Sequence, residues 1–170
     1  EIDGRTLLAA DVLIAADQPI PSALIEEARA KKLNIAQTVV FPSMVSYGGE
    51  SKLSSLKAVS ALYPLRGQLQ ISRQVIDGRV DERSIEEVTG MPPKNTVWVD
   101  PAVLISLRAK LGDSLSIGDR QFRIDAVIVR ELDRGAAFMN FAPRAMIGID
   151  DLASTGLIGF GSRVTYRLLV

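Results

Sequence analysis

The pattern of apolar and polar positions over the first part of the chain predicts a strand, a helix and a second strand. Residues 6–16 are rich in apolar and small side chains, which is typical of a strand covered on both faces. A helix is predicted to begin at Pro21, and residues 35–45 return to strand character. The apolar stripe of this helix consists of Ala23, Leu24, Ala28 and Leu33. If the two strands lie parallel in one sheet, their connection should be right-handed.

Two more strands are predicted nearby, at residues 52–62 and 69–75. Only a short segment with Pro64 and Gly67 separates them. This short connection favours their being neighbours in the same sheet.

The middle of the chain is rich in turn residues and predicts short elements. A short helix is expected over residues 83–88 with Asp81 as its cap, and a strand over residues 97–99. A second clear helix is predicted to begin at Asp100-Pro101 and to end at Gly112. Its apolar face consists of Val103, Leu104, Leu107 and Leu111.

The last third of the chain predicts a hairpin followed by two strands. The hairpin covers residues 114–129 and turns at Gly118-Asp119. Its apolar face consists of Leu115, Ile117, Phe122, Ile124, Ala126 and Ile128. A strand at residues 145–149, a helical turn near Asp151-Leu152 and a last strand at residues 164–168 follow.

The composition restricts the chemistry that the chain can perform. At 170 residues and 47% hydrophobic residues, the chain can bury a substantial core, and its 20 basic and 20 acidic residues give no field that would recruit nucleic acid. It contains no Cys and no His, so disulfides, thiol nucleophiles and His-based acid/base catalysis are excluded. No uncharged segment is apolar over the roughly 20 residues that a membrane span needs.

The sequence Gly112-Asp113-Ser114-Leu115 matches the signature of an esterase and lipase family in which the serine is the nucleophile. Such a serine needs a general base within hydrogen-bond reach, and the chain has no His to supply it. The same residues fit a helix stop followed by the start of a hairpin. The structural interpretation is therefore favoured, and a small hydrolase built on Ser114 stays as the alternative.

Neither a cofactor nor a metal is predicted. Gly156, Gly159 and Gly161 do not follow the order of a phosphate-binding loop, and a strand rather than a helix comes after them. Adjacent carboxylates occur in four places, which solvated faces and caps explain. They are Glu26-Glu27, Asp81-Glu82, Glu86-Glu87 and Asp150-Asp151.

The segment 135–143 carries Phe138, Met139 and Phe141 between two strands, where polar residues are usual. One interpretation is that these side chains fill space between parts of the fold. The other is an apolar surface that contacts a lipid-like ligand or a partner protein.

Short motifs over nearly the whole chain resemble the first periplasmic domain, a MacB-type core domain, of FtsX/MacB-family ABC transporter permeases. Within that family the likeness is to the YbbP-like branch. The motifs are Phe41-Pro42-Ser43-Met44-Val45, Thr96-Val97-Trp98-Val99-Asp100-Pro101, residues 111–119, Phe141-Ala142-Pro143-Arg144, Asp151-Leu152, Thr155-Gly156-Leu157 and residues 161–166.

The resemblance implies an α+β fold of two lobes. A porter-like lobe with the strand, helix and strand unit covers residues 1–77 and 161–170, and a β-rich lobe of residues 78–160 interrupts it. The change to turn-rich sequence after Asp77-Gly78 and the return of strand character after Gly161 agree with these boundaries. Because the family sequence continues beyond the last strand and the chain opens without an initiator Met, we expect a partial domain.

The resemblance also implies a function without catalysis in this chain. The domain would lie on the periplasmic side of the bacterial inner membrane, held by transmembrane helices outside this chain. A cytoplasmic ABC ATPase would bind ATP and drive conformational change, while the domain engages a periplasmic protein or a lipid-like substrate for export or lipid handling. The family pattern supplies no catalytic, cofactor or metal residues, so Phe138, Met139 and Phe141 are the candidate contact residues.

Overall fold

The computed structural model describes residues 13–65, 68–131, 142–157 and 165–169. In these ranges none of the helices has the length and the apolar run needed to cross a membrane. The helices are α1 (Ser22–Ala30) and α2 (Pro101–Leu107), with short 3₁₀ turns at Glu82–Ser84, Ile149–Asp151 and Ala153–Thr155. The strands are β1 (Leu13–Ala16), β2 (Ala36–Tyr47), β3 (Glu50–Val59), β4 (Leu69–Ser72), β5 (Val75–Ile76), β6 (Arg79–Val80), β7 (Ile85–Glu87), β8 (Thr96–Val99), β9 (Ser114–Ile117), β10 (Arg120–Glu131), β11 (Arg144–Gly148) and β12 (Thr165–Leu169). The fold is therefore α+β and dominated by strands, as predicted.

Ten of these strands form one mixed sheet, in the order β1, β12, β2, β3, β11, β8, β10, β4 and β7, with β9 joining β10 to β2. Six of the strands consequently close into a ring, in which each strand is hydrogen-bonded to two other members of the ring. In order around the ring they are β2, β3, β11, β8, β10 and β9. We call this the six-strand ring. The long strands β2 and β10 each extend beyond it, β2 toward β12 and β1, and β10 toward β4 and β7.

The first strand and β2 are parallel because both pair antiparallel with β12, which lies between them. This is the arrangement for which the right-handed connection is expected. Residues 6–12 of the predicted first strand lie outside the described residues. The last strand thus returns to the start of the chain rather than to the hairpin of β9 and β10.

All six strands of the ring contribute side chains to one buried cluster, which therefore fills the ring. Helix α2 adds Val103, Leu104 and Leu107 to it, as its predicted apolar stripe requires. The fully buried members from the strands are Val45, Leu56, Ala58, Val97, Val99, Leu115, Ile117, Phe122, Ile124, Val127, Ala145 and Ile147. A second cluster includes Tyr63, Trp98 and Met146.

The predicted alternation along the hairpin is wrong beyond Ile124. A register shift in the pairing of β10 with β8 lies between Ile124 and Ala126, and it changes the face to which later residues point. Val127 therefore joins the ring core, while Ala126 and Ile128 join the second cluster. The inserted residue, Asp125, accepts a hydrogen bond from Trp98 Nε1 at 2.9 Å.

Three expectations about helices need correction. Residues 83–88 form a 3₁₀ turn and then strand β7, although Asp81 does cap the turn by accepting from Arg83 N at 3.0 Å. Helix α2 ends at Leu107 rather than Gly112, because Arg108 adopts a left-handed conformation with φ 55°. Helix α1 forms, but only Ala28 of its predicted stripe is buried, and Leu24 and Leu33 remain exposed.

The predicted neighbours at residues 52–62 and 69–75 are not adjacent. Strands β11, β8 and β10 lie between β3 and β4, because the edge of β3 beyond β2 is taken by β11 in parallel pairing. Strands from both predicted lobes thus share one sheet. The boundaries at residues 77 and 161 stay a prediction.

Candidate functional site

A cleft of about 580 Å³ lies where β2 passes from one neighbour to another. Residues 36–40 of β2 pair with β12, whereas Val45 and Ser46 pair with β9. Between these two stretches, the described strands leave that edge of β2 open. The lining residues are Phe41, Pro42, Ser43, Met44, Ser46, Ser116, Gly118 and Leu157.

The cleft has hydroxyl and apolar walls and, among its described lining residues, no charge. The hydroxyl of Ser43 donates to the carbonyl oxygen of Met44 at 3.2 Å, and the hydroxyls of Ser46 and Ser51 lie 2.7 Å apart. Such walls suit an uncharged or apolar group better than a phosphate, which needs cationic or amide donors.

An exposed apolar pair adjoins the cleft on the outer face of the hairpin formed by β2 and β3. Met44 and Leu53 are register partners, and their exposed fractions are 50% and 51%. Pro42, two residues before Met44 and on the same face, is exposed as well. Sequence reasoning missed this pair because it placed Met44 in a predicted strand without assigning a face to it. The signal lay in the alternation of Val45, which is buried, with its neighbours.

Two glycines hold the loop that carries Leu157 against the cleft. Asp119 N donates to Thr155 O at 2.8 Å, which brings the turn of the hairpin against the last 3₁₀ turn. A Cβ on Gly118 would collide with Thr155 O, and one on Gly156 would collide with the Asp119 carboxylate. Gly156 thus belongs to a tight structural loop, whereas Gly159 and Gly161 lie outside the described residues.

A buried ionic cluster of Lys57, Glu131 and Arg144 joins three strands of the ring. Glu131 Oε2 accepts from Lys57 Nζ at 2.8 Å, and Glu131 Oε1 accepts from Arg144 Nε at 2.9 Å. Lys57 also donates to Tyr63 Oη at 2.7 Å, and Arg144 donates to Ser55 Oγ at 2.5 Å. The three charged side chains are at most 1% exposed. Sequence reasoning did not nominate them, although a charge inside an apolar strand was the available signal.

The environment keeps the Glu131 carboxyl ionised. Burial by itself would raise its pKa, but the positive charges of Lys57 and Arg144 and their hydrogen bonds outweigh burial and lower the pKa below its usual value. The cluster is therefore a set of paired charges rather than a proton donor or acceptor held ready for catalysis.

A smaller cavity of about 200 Å³ lies beside Gly148, Lys94 and the Asp150-Asp151 pair. Asp151 is already engaged there, since it accepts from Asn95 N at 2.9 Å and lies 3.5 Å from Arg120 Nη1. No group of three or more potential metal ligands occurs in the described part of the chain.

Ser114 begins strand β9 at an exposed position and pairs in register with Arg123. The preceding Asp113 accepts from Lys110 N at 2.8 Å and raises the pKa of the Tyr47 phenol through a hydrogen bond and its charge. Gly112 has a φ of 93°, as a tight turn into a strand requires. The motif thus serves as a turn, and nothing in this geometry favours the hydrolase alternative.

The predicted contact residues Phe138, Met139 and Phe141 lie outside the described residues. The described chain leaves their segment at Glu131 and resumes at Ala142, just before Arg144. Glu131, the last described residue before the segment, and Arg144, two residues after Ala142, both belong to the buried ionic cluster.

Comparisons with known proteins give a sequence relative and several solved structures of similar fold. The sequence is 29% identical over 163 residues to the ABC transporter permease YbbP of Escherichia coli (strain K12), which covers 96% of this chain but only 18% of that protein. The periplasmic region of MacB from Actinobacillus actinomycetemcomitans superposes with a TM-score of 0.55 at 13% identity, over 99% of this chain and 78% of that one. The extracellular domain of the noncanonic ABC-type transporter YknZ from Gram-positive bacteria gives a TM-score of 0.52 at 13% identity, over 94% and 83%. No family model matches the chain.

The two structural similarities establish the fold, and the sequence similarity relates that fold to a permease. Both apply to nearly the whole of this chain, although the chain spans about a fifth of the length of its sequence relative. The predicted resemblance to the periplasmic domain of FtsX/MacB-family ABC transporter permeases, on the YbbP-like branch, is confirmed.

Proposed function

We propose that the chain acts as a non-catalytic extracytoplasmic domain of an ABC transporter permease, engaging a substrate or a partner protein. The observation that carries this proposal is the match to a permease over 96% of the chain. ATP would be bound by a separate cytoplasmic ATPase, and flanking membrane helices outside this chain would anchor the domain at the periplasmic face. The transported molecule would be an exported or lipid-related compound.

Phe138, Met139 and Phe141 are proposed as the contact residues toward that substrate or partner. The support is their composition, since large apolar side chains are unusual in a connection between strands. The cleft walls of Ser43, Met44 and neighbouring residues are likewise uncharged, which agrees with a ligand of low polarity. Of the two proposed lobes, residues 1–77 with 161–170 and residues 78–160, the second would carry Phe138, Met139 and Phe141. The cleft takes lining residues from both lobes.

Melting experiments separate a contact role of the phenylalanines from a core role. A buried Phe replaced by Ala costs about 3–5 kcal/mol, whereas an exposed one costs little. We expect Phe138→Ala and Phe141→Ala to melt close to the wild type while abolishing transport by the full-length permease. Phe122→Ala, which truncates a fully buried ring, is the matched control for a core position. A fall of several degrees in both loop variants would return these residues to the core.

The absence of catalysis is tested on the chain itself. We expect purified protein to show no turnover of p-nitrophenyl acetate or ATP, with Ser114→Ala indistinguishable from wild type. Ester turnover that disappears in Ser114→Ala would instead support the hydrolase alternative.

A further inference from the structure

We propose that the cleft beside β2 binds an uncharged, lipid-like molecule whose hydroxyl or ester carbonyl is held by the side chains of Ser43 and Ser54. The proposal rests on the function proposed above and gives its lipid-related substrate a chemical class and a binding site. The cleft volume of about 580 Å³ lies within the range of roughly 300–1,000 Å³ that is usual for small-molecule sites.

The cleft extends from the outer face of β2 to the interior of the six-strand ring. Phe41 and Val45 belong to the ring core, and successive side chains of a strand alternate between its faces. Ser43 therefore faces the ring interior, whereas Met44 faces outward and is half exposed. Both residues line the cleft, so the cleft passes the open edge of β2 and reaches both of its faces.

Ser54 carries a hydroxyl that the described part of the chain leaves without a hydrogen-bond partner. It is the register partner of Ser43 on β3, and it is fully buried. Buried polar groups are nearly always paired, because burial removes their hydrogen bonds to water. An unpaired hydroxyl beside a cleft residue is therefore suited to receive an oxygen atom of a ligand.

Ser43 and Ser54 can hold one ligand oxygen between them. Directly paired residues of an antiparallel ladder have their side chains on the same face, with Cβ atoms about 4.5–5.5 Å apart. An oxygen between the two hydroxyls is then within hydrogen-bond distance of both. The Ser43 hydroxyl donates to Met44 O at 3.2 Å, which is longer than the usual O–H···O distance of about 2.7–2.8 Å, and its lone pairs remain available to a donor on the ligand.

The walls of the cleft favour an uncharged ligand with an apolar body. None of the described lining residues is charged, so an anionic head group would lose hydration without gaining a cationic partner. Phe41, Met44 and Leu157 supply apolar surface for a short acyl chain, and the exposed Leu53 continues this surface outside the cleft. A neutral acylglycerol combines such a chain with hydroxyl and ester oxygens.

The same edge of β2 is poorly suited to an added peptide strand. Strand β12 pairs with residues 36–40 and β9 pairs with Val45 and Ser46, so the stretch left open by the described strands is residues 41–44. A peptide strand would meet β12 at one end of this stretch and β9 at the other. Pro42, inside the stretch, also has no N–H to donate to a partner strand. The geometry therefore favours a small molecule.

The test measures binding of monodecanoylglycerol to the isotopically labelled chain by NMR, below the concentration at which this lipid aggregates. We expect saturable shifts of amide signals that centre on residues 41–46 and 114–118. Decyl phosphate has a chain of the same length and an anionic head group, and it should bind at least about ten-fold more weakly. Equal binding of the two lipids would contradict the proposed ligand class.

Variants of the two serines test the hydroxyl pair. Ser54→Ala and Ser43→Ala should each weaken binding of monodecanoylglycerol about 3- to 10-fold, as expected for the loss of one hydrogen bond. Ser54→Ala removes a hydroxyl without a partner, so it should melt no lower than the wild type. Thr38→Val is the matched control, because Thr38 Oγ1 is likewise buried and unpaired but lies on the other face of β2, opposite Val59 of the second cluster. This variant should bind like the wild type.

Two results would overturn the proposal. One is the absence of saturable shifts in the wild type, or an equal loss of affinity in Ser54→Ala and Thr38→Val. The other is a set of NOEs from Ser43 and Ser54 to residues 158–164 that persists when lipid is added, because the chain itself would then occupy the cleft. Either result would leave the permease role intact, since that role is tested by transport in the full-length protein.

Discussion

At the scale of single residues, Gly118 is the position where adding one methyl group should destabilise the fold most. An added Cβ would collide with Thr155 O, whereas at Gly48, which has nearly the same φ of 59° against 57°, nothing lies within 4 Å. We expect Gly118→Ala to lower the free energy of unfolding by about 1–3 kcal/mol more than Gly48→Ala does. Urea unfolding of both variants measures the difference. Equal losses would mean that backbone strain alone is responsible.

The ionisation of Glu131 should make the free energy of unfolding depend on pH under acidic conditions. Its pKa is lowered in the folded state, so its contribution is complete above the unfolded pKa, near 4.5, and is lost as the pH falls through the folded value. We expect the free energy of unfolding to be nearly level from pH 7 to about 5.5 and to fall below about 4.5. Glu131→Gln should be less stable at neutral pH by about 3–5 kcal/mol and should show a smaller fall. A wild-type profile that stays level down to pH 3 would contradict this.

At the scale of elements, the register shift in β10 depends on the side chain that it inserts. Asp125 accepts from the indole of Trp98 and lies 3.1 Å from Arg73 Nη2. We expect Asp125→Ala to cost about 1–3 kcal/mol because the indole N–H of a largely buried Trp loses its acceptor. Asp125→Asn retains an acceptor oxygen and should recover part of the loss. Chemical denaturation followed by fluorescence checks both, and equal stability of the Ala and Asn variants would contradict the assignment.

At the scale of the whole molecule, the sharing of one core predicts one unfolding transition. The cluster that fills the six-strand ring takes Val45 and Leu56 from the first proposed lobe and Val97 and Ile147 from the second. Trp98 is the chain's single tryptophan and is buried. We expect its fluorescence and the far-ultraviolet circular dichroism to report the same denaturation midpoint. Two separated midpoints would show that the lobes unfold independently.

Features that depend on local chemistry could be predicted from the sequence. Backbone preferences and the periodicity of burial act over a few residues, and four predicted features follow from them. These are the start of α2 at Asp100-Pro101, the Asp81 cap, the Gly118-Asp119 turn and the strand alternation as far as Ile124. The absence of His and the family resemblance are likewise visible in the sequence.

Which strands pair and which charges are buried became known from the three-dimensional fold. Three features depend on long-range strand pairing: β11 lies beside β3, β9 closes the ring, and Lys57 contacts Glu131, which is 74 residues away in the sequence. Several pairings bury similar apolar area, so local patterns leave the choice open. The exposure of Met44 and Leu53 also follows from the choice of strand pairing. A residue on the outer face of a hairpin is buried only if another element packs on that face.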